Sequence, residues 1–343
     1  MADREPVPPA PPVVAIVGPT GVGKTALSIA LGIALPAEIV NADSRSFYRG
    51  MDIGTAKASQ QQRERVPHHL VDILDPMDPM SLATFQDLAY AAFERIHARN
   101  RLPLLVGGTP QYVNAIMEGW SIPRVAPNEG FRRDLETEAE RSGIEPLMAR
   151  LAAVDPEAAA KSGPNLRRII RALEVYAATG QPITALQRKV GVPFATLEFE
   201  LWAPREVLYD RIDRRVNEQI EAGLVGEVQA LLDAGVSPEA PAFSSIGYRQ
   251  LLPFLRNERS LDESIERIKL DSHRLVRHQQ TWFRKNPRLI RIDTLEPDWQ
   301  SKTIAAVERF VAPWMRRHGG EANGQASPYG SHGAHEVPGG QRR

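Results

Sequence analysis

The residues best suited to chemistry lie near the start of the chain, in the run Gly18-Pro19-Thr20-Gly21-Val22-Gly23-Lys24-Thr25. Its glycine spacing, followed by Lys and Thr, matches the phosphate-loop pattern. Because glycine has no Cβ, successive backbone N–H groups can converge on an anion here. The Lys24 ammonium adds a full positive charge, and the Thr25 hydroxyl is suited to bind Mg²⁺. This run, the phosphate loop, predicts a polyphosphate site but does not indicate the reaction.

A strand and a helix are expected to hold the phosphate loop. Residues 13–17 form a short, β-branched apolar run, which is typical of a buried parallel strand. Residues 25–35 carry apolar side chains on one broad helical face. The amino-terminal end of that helix would add partial positive charge to the anion site. From these residues alone, the alternative is a glycine-rich turn that binds no ligand.

The rest of the chain indicates the sheet to which this strand belongs. Further strands are predicted at residues 38–42, 70–73, 102–106, 197–201 and 288–292, with helical segments between them. This alternation predicts an α/β fold, a P-loop NTPase-like parallel sheet with helices on both faces. Ligands of such sheets bind beyond the carboxyl ends of the strands. Asp43, which follows the second strand, is therefore expected to face the phosphate loop.

The strand pattern is interrupted in the middle of the chain. Residues 119–193 are rich in Arg, Glu and Ala, and helices are predicted at 129–142, 143–154 and 166–179. We interpret this segment as a helical insertion into a catalytic core made of residues 13–118 and 194–318. The Pro-rich residues 1–12 predict a flexible leader, and residues 319–343, with almost no large apolar side chains, predict a disordered tail.

The composition excludes several classes of site. The chain has 343 residues and no cysteine, so thiol catalysis, disulfides and cysteine-type zinc sites are excluded. Its 42 Lys and Arg residues balance 42 Asp and Glu residues, so any surface that attracts nucleic acid must be local. No stretch approaches the length needed to span a membrane. We expect a cytoplasmic protein without a membrane partner, and a monomer.

Three kinds of phosphate chemistry are compatible with the loop. A nucleotide-dependent switch is disfavoured, because no D-x-x-G follows a strand and no N-K-x-D occurs. A small-molecule kinase would use the loop for phosphoryl transfer. In the third kind, the loop holds a diphosphate leaving group while another group is transferred.

A long, ordered set of motifs resembles the tRNA dimethylallyltransferases. The motifs run in order from about residue 13 to 293, and they are NADSRSFYRGMDIGTAK (41–57), VPHHLVDI (66–73), LVGGT (105–109), RIIRALEVY (168–176), IGYR (246–249) and QQTWFR (279–284). The resemblance implies transfer of a dimethylallyl group from dimethylallyl diphosphate to N6 of the adenosine 3′ of the anticodon. The acceptors would be tRNAs that read codons beginning with U.

The resemblance also implies roles for single residues. The phosphate loop would hold the diphosphate with Mg²⁺ on Thr25, and Lys24 would stabilise the leaving group. Asp43 would be the general base for N6, although by itself it could equally be a magnesium ligand or a helix cap. Thr109 would hold the diphosphate or the target nucleotide, but it could instead cap a helix. Arg215, favoured over Arg211, would reach the diphosphate, whereas alone it could belong to a solvated helix face.

The implied tRNA contacts fall on four segments. They are Asp43, Ser44, Arg45 and Ser46; Arg132, Arg167, Arg168 and Arg171 in the insertion; Gly247, Tyr248 and Arg249; and Arg277, Gln279, Trp282 and Arg284. Together they would grip the anticodon stem–loop, with the active site in a channel between insertion and core. Trp282 could stack on a base or belong to the core.

The chain departs from the family pattern after Thr109, where Pro110-Gln111 replaces the usual Gly-Leu, and at His278, where a basic residue is usual. The first change could alter the turn that carries Thr109, and the second would weaken one phosphate contact. Neither touches the phosphate loop or Asp43. Two alternatives stay open, a prenyltransferase acting on free adenine nucleotides and a small-molecule P-loop kinase.

Overall fold

The computed structural model describes residues 10–318. The predicted tail at 319–343 and the first nine residues of the predicted leader lie outside the described residues. Ala10 and Pro11 precede the first strand, which begins at Pro12, inside the predicted leader. Within the described residues, the chain divides into two compact units, residues 10–117 with 193–318 and residues 118–192.

The first unit is built on a parallel sheet. Within residues 10–318 its strands are β1 (Pro12–Val17), β2 (Ala37–Asn41), β3 (His68–His69), β4 (Leu102–Gly107), β5 (Ala195–Trp202) and β6 (Ile290–Asp293), in the order β3-β2-β4-β1-β5-β6. Strands β1, β2 and β4 are buried along their whole length, as their apolar sequences predict. The predicted α/β fold with a parallel sheet is confirmed.

The four helices predicted at residues 25–35, 129–142, 143–154 and 166–179 are all present, and further helices lie between and after them. Before the second unit come α1 (Lys24–Ala34), α2 (Gln60–Arg65), α3 (Leu82–His97) and α4 (Pro110–Met117). The second unit holds α5 (Glu129–Ser142), α6 (Glu145–Val154), α7 (Pro156–Ser162), α8 (Leu166–Thr179) and α9 (Ile183–Leu186). The chain then continues with α10 (Arg205–Glu221), α11 (Leu224–Asp233), a 3₁₀ helix (Pro241–Ser244), α12 (Tyr248–Leu255), α13 (Leu261–Phe283) and α14 (Trp299–His318).

The strand predicted at residues 70–73 is wrong. The ladder ends at His69, and Leu70 and Asp72 adopt left-handed φ values of 59° and 56°. Side chains hold this turn: Asn41 Nδ2 donates to the Leu70 carbonyl at 3.0 Å, and Lys57 Nζ pairs with the Asp72 carboxylate at 2.5 Å. The apolar pattern gave no sign of these polar contacts.

The second unit has its own small apolar core. Leu135 from α5, Leu147 and Leu151 from α6, and Ile169 and Leu173 from α8 are all buried in it. These residues recur at helical spacing, so the amphipathic pattern of the sequence carries over directly into packing. No helix among residues 10–318 is long and apolar enough to cross a membrane.

Candidate active site

The phosphate loop leaves the carboxyl end of β1 and leads into α1. Gly18, Gly21 and Gly23 have φ values of 145°, 80° and 104°, in the region that favours glycine. Gly18 also packs closely, because a Cβ there would lie 2.5 Å from the carbonyl oxygen of Leu201 in β5. The loop is therefore shaped by backbone conformations that a side chain would strain.

Lys24 is the charged centre of the loop. Its Nζ donates to the carbonyl oxygens of Gly18 at 3.0 Å and Pro19 at 2.9 Å. Burial lowers the pKa of Lys24 to about 8, while the Asp43 carboxylate opposes this shift and Arg215 adds to it. Asp43 and Arg215 are therefore both close enough to Lys24 to act on its charge.

Two arginines of α10 reach the loop. Arg215 Nη1 lies 3.4 Å from Thr20 Oγ1, and Arg211 Nη1 lies 3.5 Å from the Gly21 carbonyl oxygen. They share a helix face because they are four residues apart. Burial lowers the pKa of Arg215, and Glu218 opposes this. Both guanidinium groups could meet a bound anion, and the choice of Arg215 over Arg211 stays a prediction.

Asp43 lies just beyond the carboxyl end of β2, in a turn that side chains hold rigid. Asn41 Oδ1 accepts the N–H of Asp43 at 3.1 Å, and Asn41 Nδ2 donates to the Asp43 carbonyl at 3.0 Å. Asp43 Oδ1 accepts the N–H of Arg45 at 3.0 Å. The carboxylate is half-buried, and within residues 10–318 no group hydrogen-bonds its second oxygen, Oδ2.

Thr109 lies between these two parts of the site. Strand β4 runs between β1 and β2, so the turn after it is flanked by the phosphate loop and by the Asp43 turn. Thr109 Oγ1 accepts the N–H of Ser44 at 3.3 Å. Pro110 begins α4, a position that suits proline because its missing N–H would have no partner inside the helix. The departure from the family pattern at Pro110-Gln111 is thus compatible with the helix start.

An aromatic wall stands beside Asp43. The rings of Phe85 and Tyr112 stack at 4.4 Å, and Phe47 lies 5.9 Å from Tyr112. Burial raises the pKa of Tyr112 to about 12, with Tyr48 and Asp43 adding to the shift and Arg45 opposing it. Phe47 and Phe85 are fully buried, so Tyr112 is the one ring of these three that is partly exposed.

Thr25 is the residue of the loop that suits a metal ion. Its side chain is exposed in the first turn of α1. The described residues hold no cluster of three or more acidic or histidine side chains that could bind a metal. A single hydroxyl fits Mg²⁺, which usually takes one or two protein ligands and completes its shell with phosphate oxygens and water.

The residues expected to contact tRNA are divided by the structure into exposed and buried groups. Arg249, Arg277 and Arg284 are exposed, and Trp282 is 43% exposed. Trp282 is therefore no core residue, and a stacking role is open to it. His278, where the family pattern is broken, is also exposed.

Other expected contacts lie inside the fold. Tyr248 is fully buried, and its hydroxyl donates to the Glu227 carboxylate. The same carboxylate accepts the N–H groups of Asp52 and Ile53, each at 2.8 Å, so Glu227 and Tyr248 hold the loop that follows Asp43. Gly247 is buried beside Tyr248. Gly247 and Tyr248 are therefore not exposed in this structure, and the tRNA contact expected at them stays a prediction.

The Asp43 turn itself is only partly accessible. Ser46 is buried, while Ser44 and Arg45 are half-buried. Arg45 Nη1 donates to Ser244 Oγ at 2.8 Å, which ties the turn to the 3₁₀ helix. Ser44 and Arg45 are therefore still accessible to a ligand, whereas the Ser46 side chain is covered by the rest of the fold.

In the second unit, two of the four arginines expected to contact tRNA instead form ion pairs with one buried glutamate. Arg132 Nε and Arg171 Nη1 lie 2.8 Å and 2.6 Å from the carboxylate of Glu174, which is 2% exposed. Burial alone would raise the pKa of Glu174, but hydrogen bonds from Arg132, Asn128 and Arg171 outweigh it and lower the pKa. Arg167 and Arg168 are exposed on α8.

We expect Arg171→Ala to destabilise the second unit rather than act on RNA binding alone. The loss in free energy of unfolding should be about 1–3 kcal/mol, below the full cost of breaking a buried pair because Arg132 remains. The pKa of Glu174 is lower in the folded protein than in the unfolded chain. The stability that the ion pairs of Glu174 contribute is therefore present at pH values above the pKa of the unfolded state. It is lost as the pH falls through the pKa of the folded state. Urea unfolding at pH 7 and pH 4 measures both effects.

Arg167→Ala is the matched control for Arg171→Ala, because this arginine lies on the same helix but is exposed. Its effect on unfolding should stay within about 0.5 kcal/mol at both pH values. Equal stability of the two variants at pH 7 would contradict a structural role for Arg171.

Gln279 is the residue whose place the sequence did not reveal. It was expected on the tRNA surface, yet it is 6% exposed and bonds to the phosphate loop and to Gly108. A signal was present, since Val276, Gln279 and Phe283 are spaced three and four apart and form one buried helix face. Gln279 is therefore not exposed in this structure, and the tRNA contact expected at it stays a prediction.

Comparison with known proteins identifies the family of this chain. Residues 46–286 match the family model described as IPP transferase. A tRNA dimethylallyltransferase of Thermomicrobium roseum is 49% identical over 328 residues, covering 95% of this chain and 98% of that protein.

Solved structures are similar as well. The tRNA isopentenylpyrophosphate transferase of Bacillus halodurans has a TM-score of 0.64 and 39% identity, covering 89% of this chain and 97% of its own. A eukaryotic dimethylallyltransferase acting on tRNA has a TM-score of 0.76 and 28% identity, and the match covers 88% of this chain and 80% of that one. The family resemblance is thus confirmed, and the chain belongs to the tRNA dimethylallyltransferase (IPP transferase) family.

Proposed function

We propose that this protein transfers a dimethylallyl group from dimethylallyl diphosphate to N6 of the adenosine 3′ of the anticodon, in tRNAs that read codons beginning with U. The observation that carries the proposal is the pairing of a phosphate loop with the Asp43 carboxylate, near enough to act on the pKa of Lys24. A cytoplasmic location follows from tRNA as substrate.

The reaction is proposed to be a direct displacement. The N6 nitrogen attacks C1 of the dimethylallyl group, the C1–O bond breaks, and the diphosphate leaves with the bonding electrons. The proton of N6 passes to Asp43, whose Oδ1 is engaged by the N–H of Arg45 and whose Oδ2 is the oxygen that receives it. General-base help of this kind is typically worth about 10²–10⁴ in rate.

The leaving group is proposed to bind the phosphate loop. Lys24, the loop N–H groups and Arg215 would stabilise the negative charge that develops on the departing oxygens. A divalent ion, for which we propose Mg²⁺, would be held by Thr25 and would supply further charge stabilisation at the diphosphate. The prenyl chain would pack on the ring of Tyr112, which is partly exposed, whereas Phe47 and Phe85 are fully buried.

The acceptor is proposed to be a tRNA whose target base leaves its stack to reach Asp43. Extruding a base costs a few kcal/mol. Exposed Arg277 and Arg284 would offset this cost through phosphate contacts, and the exposed Trp282 ring suits stacking on a base. Arg167 and Arg168 of α8 would add contacts from the second unit.

One assay tests the proposal against its alternatives. The protein is incubated with labelled dimethylallyl diphosphate and Mg²⁺, together with unmodified tRNA or AMP. Label in tRNA alone is the expected result, and nuclease digestion should recover it on the adenosine 3′ of the anticodon. Label in AMP would favour a prenyltransferase acting on free nucleotides. No label, together with ATP turnover, would favour a small-molecule kinase.

A further inference from the structure

Helix α13 has two faces that serve different parts of the molecule. Arg277 and Trp282 are exposed on it, whereas Val276, Gln279 and Phe283 are buried. Gln279 is the polar member of this buried row at the helix's carboxyl-terminal end. A buried amide has to find partners for both its oxygen and its nitrogen.

Gln279 finds those partners in two loops of the active site. Its Oε1 accepts the N–H of Thr20 in the phosphate loop at 3.0 Å. Its Nε2 donates to the carbonyl oxygen of Gly108 at 2.7 Å. A Cβ on Gly108 would lie 2.6 Å from that Nε2, so the glycine makes room for the contact.

The two bonds require an amide in particular. One partner is a donor and the other an acceptor, and a carboxylate could satisfy only the first of them. Because β1 and β4 are neighbours in the sheet, the amide spans the loops that leave their carboxyl ends. The length of the Gln279 side chain therefore sets the spacing between the phosphate loop and the turn at Gly108.

The same connection continues from Gly108 to Asp43, the proposed base. Thr109 follows Gly108 directly, and its Oγ1 accepts the N–H of Ser44, the residue after Asp43. The loop that would hold the leaving group is thus connected through Gln279 to the turn that holds the carboxylate. Reaction rates in active sites are sensitive to such distances, and an error of about 1 Å can cost about 10²-fold.

We propose that Gln279 is a positioning residue, which fixes the phosphate loop relative to Thr109 and Asp43. It does so from α13, the helix whose other face bears the expected tRNA contacts. This inference rests on the proposed function, because it takes the loop to hold diphosphate. It assigns Gln279 to the geometry of the donor site and not to the tRNA surface.

Gln279→Met tests the inference, because methionine keeps the length of the side chain and removes both hydrogen bonds. We expect kcat to fall by about 10- to 100-fold and the affinity for inorganic diphosphate to weaken. The affinity for an anticodon stem–loop RNA should stay within twofold of the wild type. Gln279→Glu keeps the bond from the Thr20 N–H but adds negative charge beside the loop, so it should weaken diphosphate binding further.

Gln280→Met is the matched control. Gln280 is the next residue of α13 and makes the same kind of pair, since its Oε1 accepts from Arg205 Nε at 3.0 Å and its Nε2 donates to the Ala203 carbonyl at 3.2 Å. Both of its partners lie outside the phosphate loop and the Gly108 turn. The control variant should therefore keep kcat and diphosphate affinity near the wild-type values.

Two outcomes would overturn the inference. One is a loss of RNA affinity in Gln279→Met with kcat and diphosphate affinity unchanged, which would make Gln279 a tRNA contact. The other is the same loss of kcat in the Gln279 and Gln280 variants, which would indicate a general effect on α13. Failure of the proposed function would look different, because the wild type itself would then transfer no label to tRNA.

Discussion

Replacing Asp43 by Asn is expected to lower kcat for dimethylallyl transfer at least about 100-fold, the usual range for loss of a general base. The amide keeps the size of the side chain, and its oxygen can still accept the N–H of Arg45, so the turn should persist. What is lost is the oxygen that is proposed to take the N6 proton. Single-turnover rates with saturating donor and tRNA measure the effect directly, and Asp43→Ala should lower the rate at least as far.

The tRNA affinity of Asp43→Asn should remain within about twofold, because phosphate contacts supply most of the binding. Asp293→Asn is a suitable control. Asp293 lies at the carboxyl end of strand β6, just as Asp43 follows the carboxyl end of β2. Its Oδ1 likewise accepts the N–H of the residue two positions later, Leu295, at 2.9 Å. That variant should keep the wild-type rate. An unchanged rate in Asp43→Asn would refute the assignment of the base.

Replacing Lys24 by Met is expected to lower kcat about 10²–10³-fold, as loss of one preorganised charge-stabilising group typically does. The ammonium lies on the carbonyl oxygens of Gly18 and Pro19, in the middle of the phosphate loop. Its pKa of about 8 leaves it mostly protonated at pH 7. Steady-state kinetics at pH 7 should show a lower kcat together with weaker binding of dimethylallyl diphosphate.

Lys302→Met serves as the control for Lys24→Met. Lys302 Nζ likewise donates to a carbonyl oxygen five residues earlier, that of Pro297 at 3.1 Å, but it is exposed on α14. The control should retain wild-type kinetics, and both variants should retain tRNA affinity. If Lys24→Met lowered only the stability of the protein, with kcat preserved, Lys24 would be a structural residue of the loop.

Most of the fold could be predicted from the sequence because it follows from local patterns. A short β-branched run predicted β1, a short apolar run predicted β4, and helical spacing of apolar residues predicted α8 within a few residues of its ends. The strand expected at residues 70–73 failed for the opposite reason. Its conformation depends on Asn41 and Lys57, which come from elsewhere in the chain and bond to the turn.

The candidate site was predictable where one short motif contains all the parts. The phosphate loop carries its own glycines, lysine and hydroxyl, and Asp43 follows a recognisable strand. The order of the strands is not local, and it is this order that puts Thr109 between the loop and Asp43. Sequence reasoning could nominate Thr109 only by family resemblance.

By itself, then, the sequence determined the kind of chemistry: a loop for a polyphosphate, a carboxylate at a strand end, and ordered motifs that resemble a tRNA-modifying family. Only the tertiary structure decided which polar side chains face outward. Arg171, Tyr248 and Gln279 look like surface residues in the sequence, yet each is held by a partner distant in the chain. Burying a polar group is tolerated only when its hydrogen bonds are met, and those partners are brought together by folding alone.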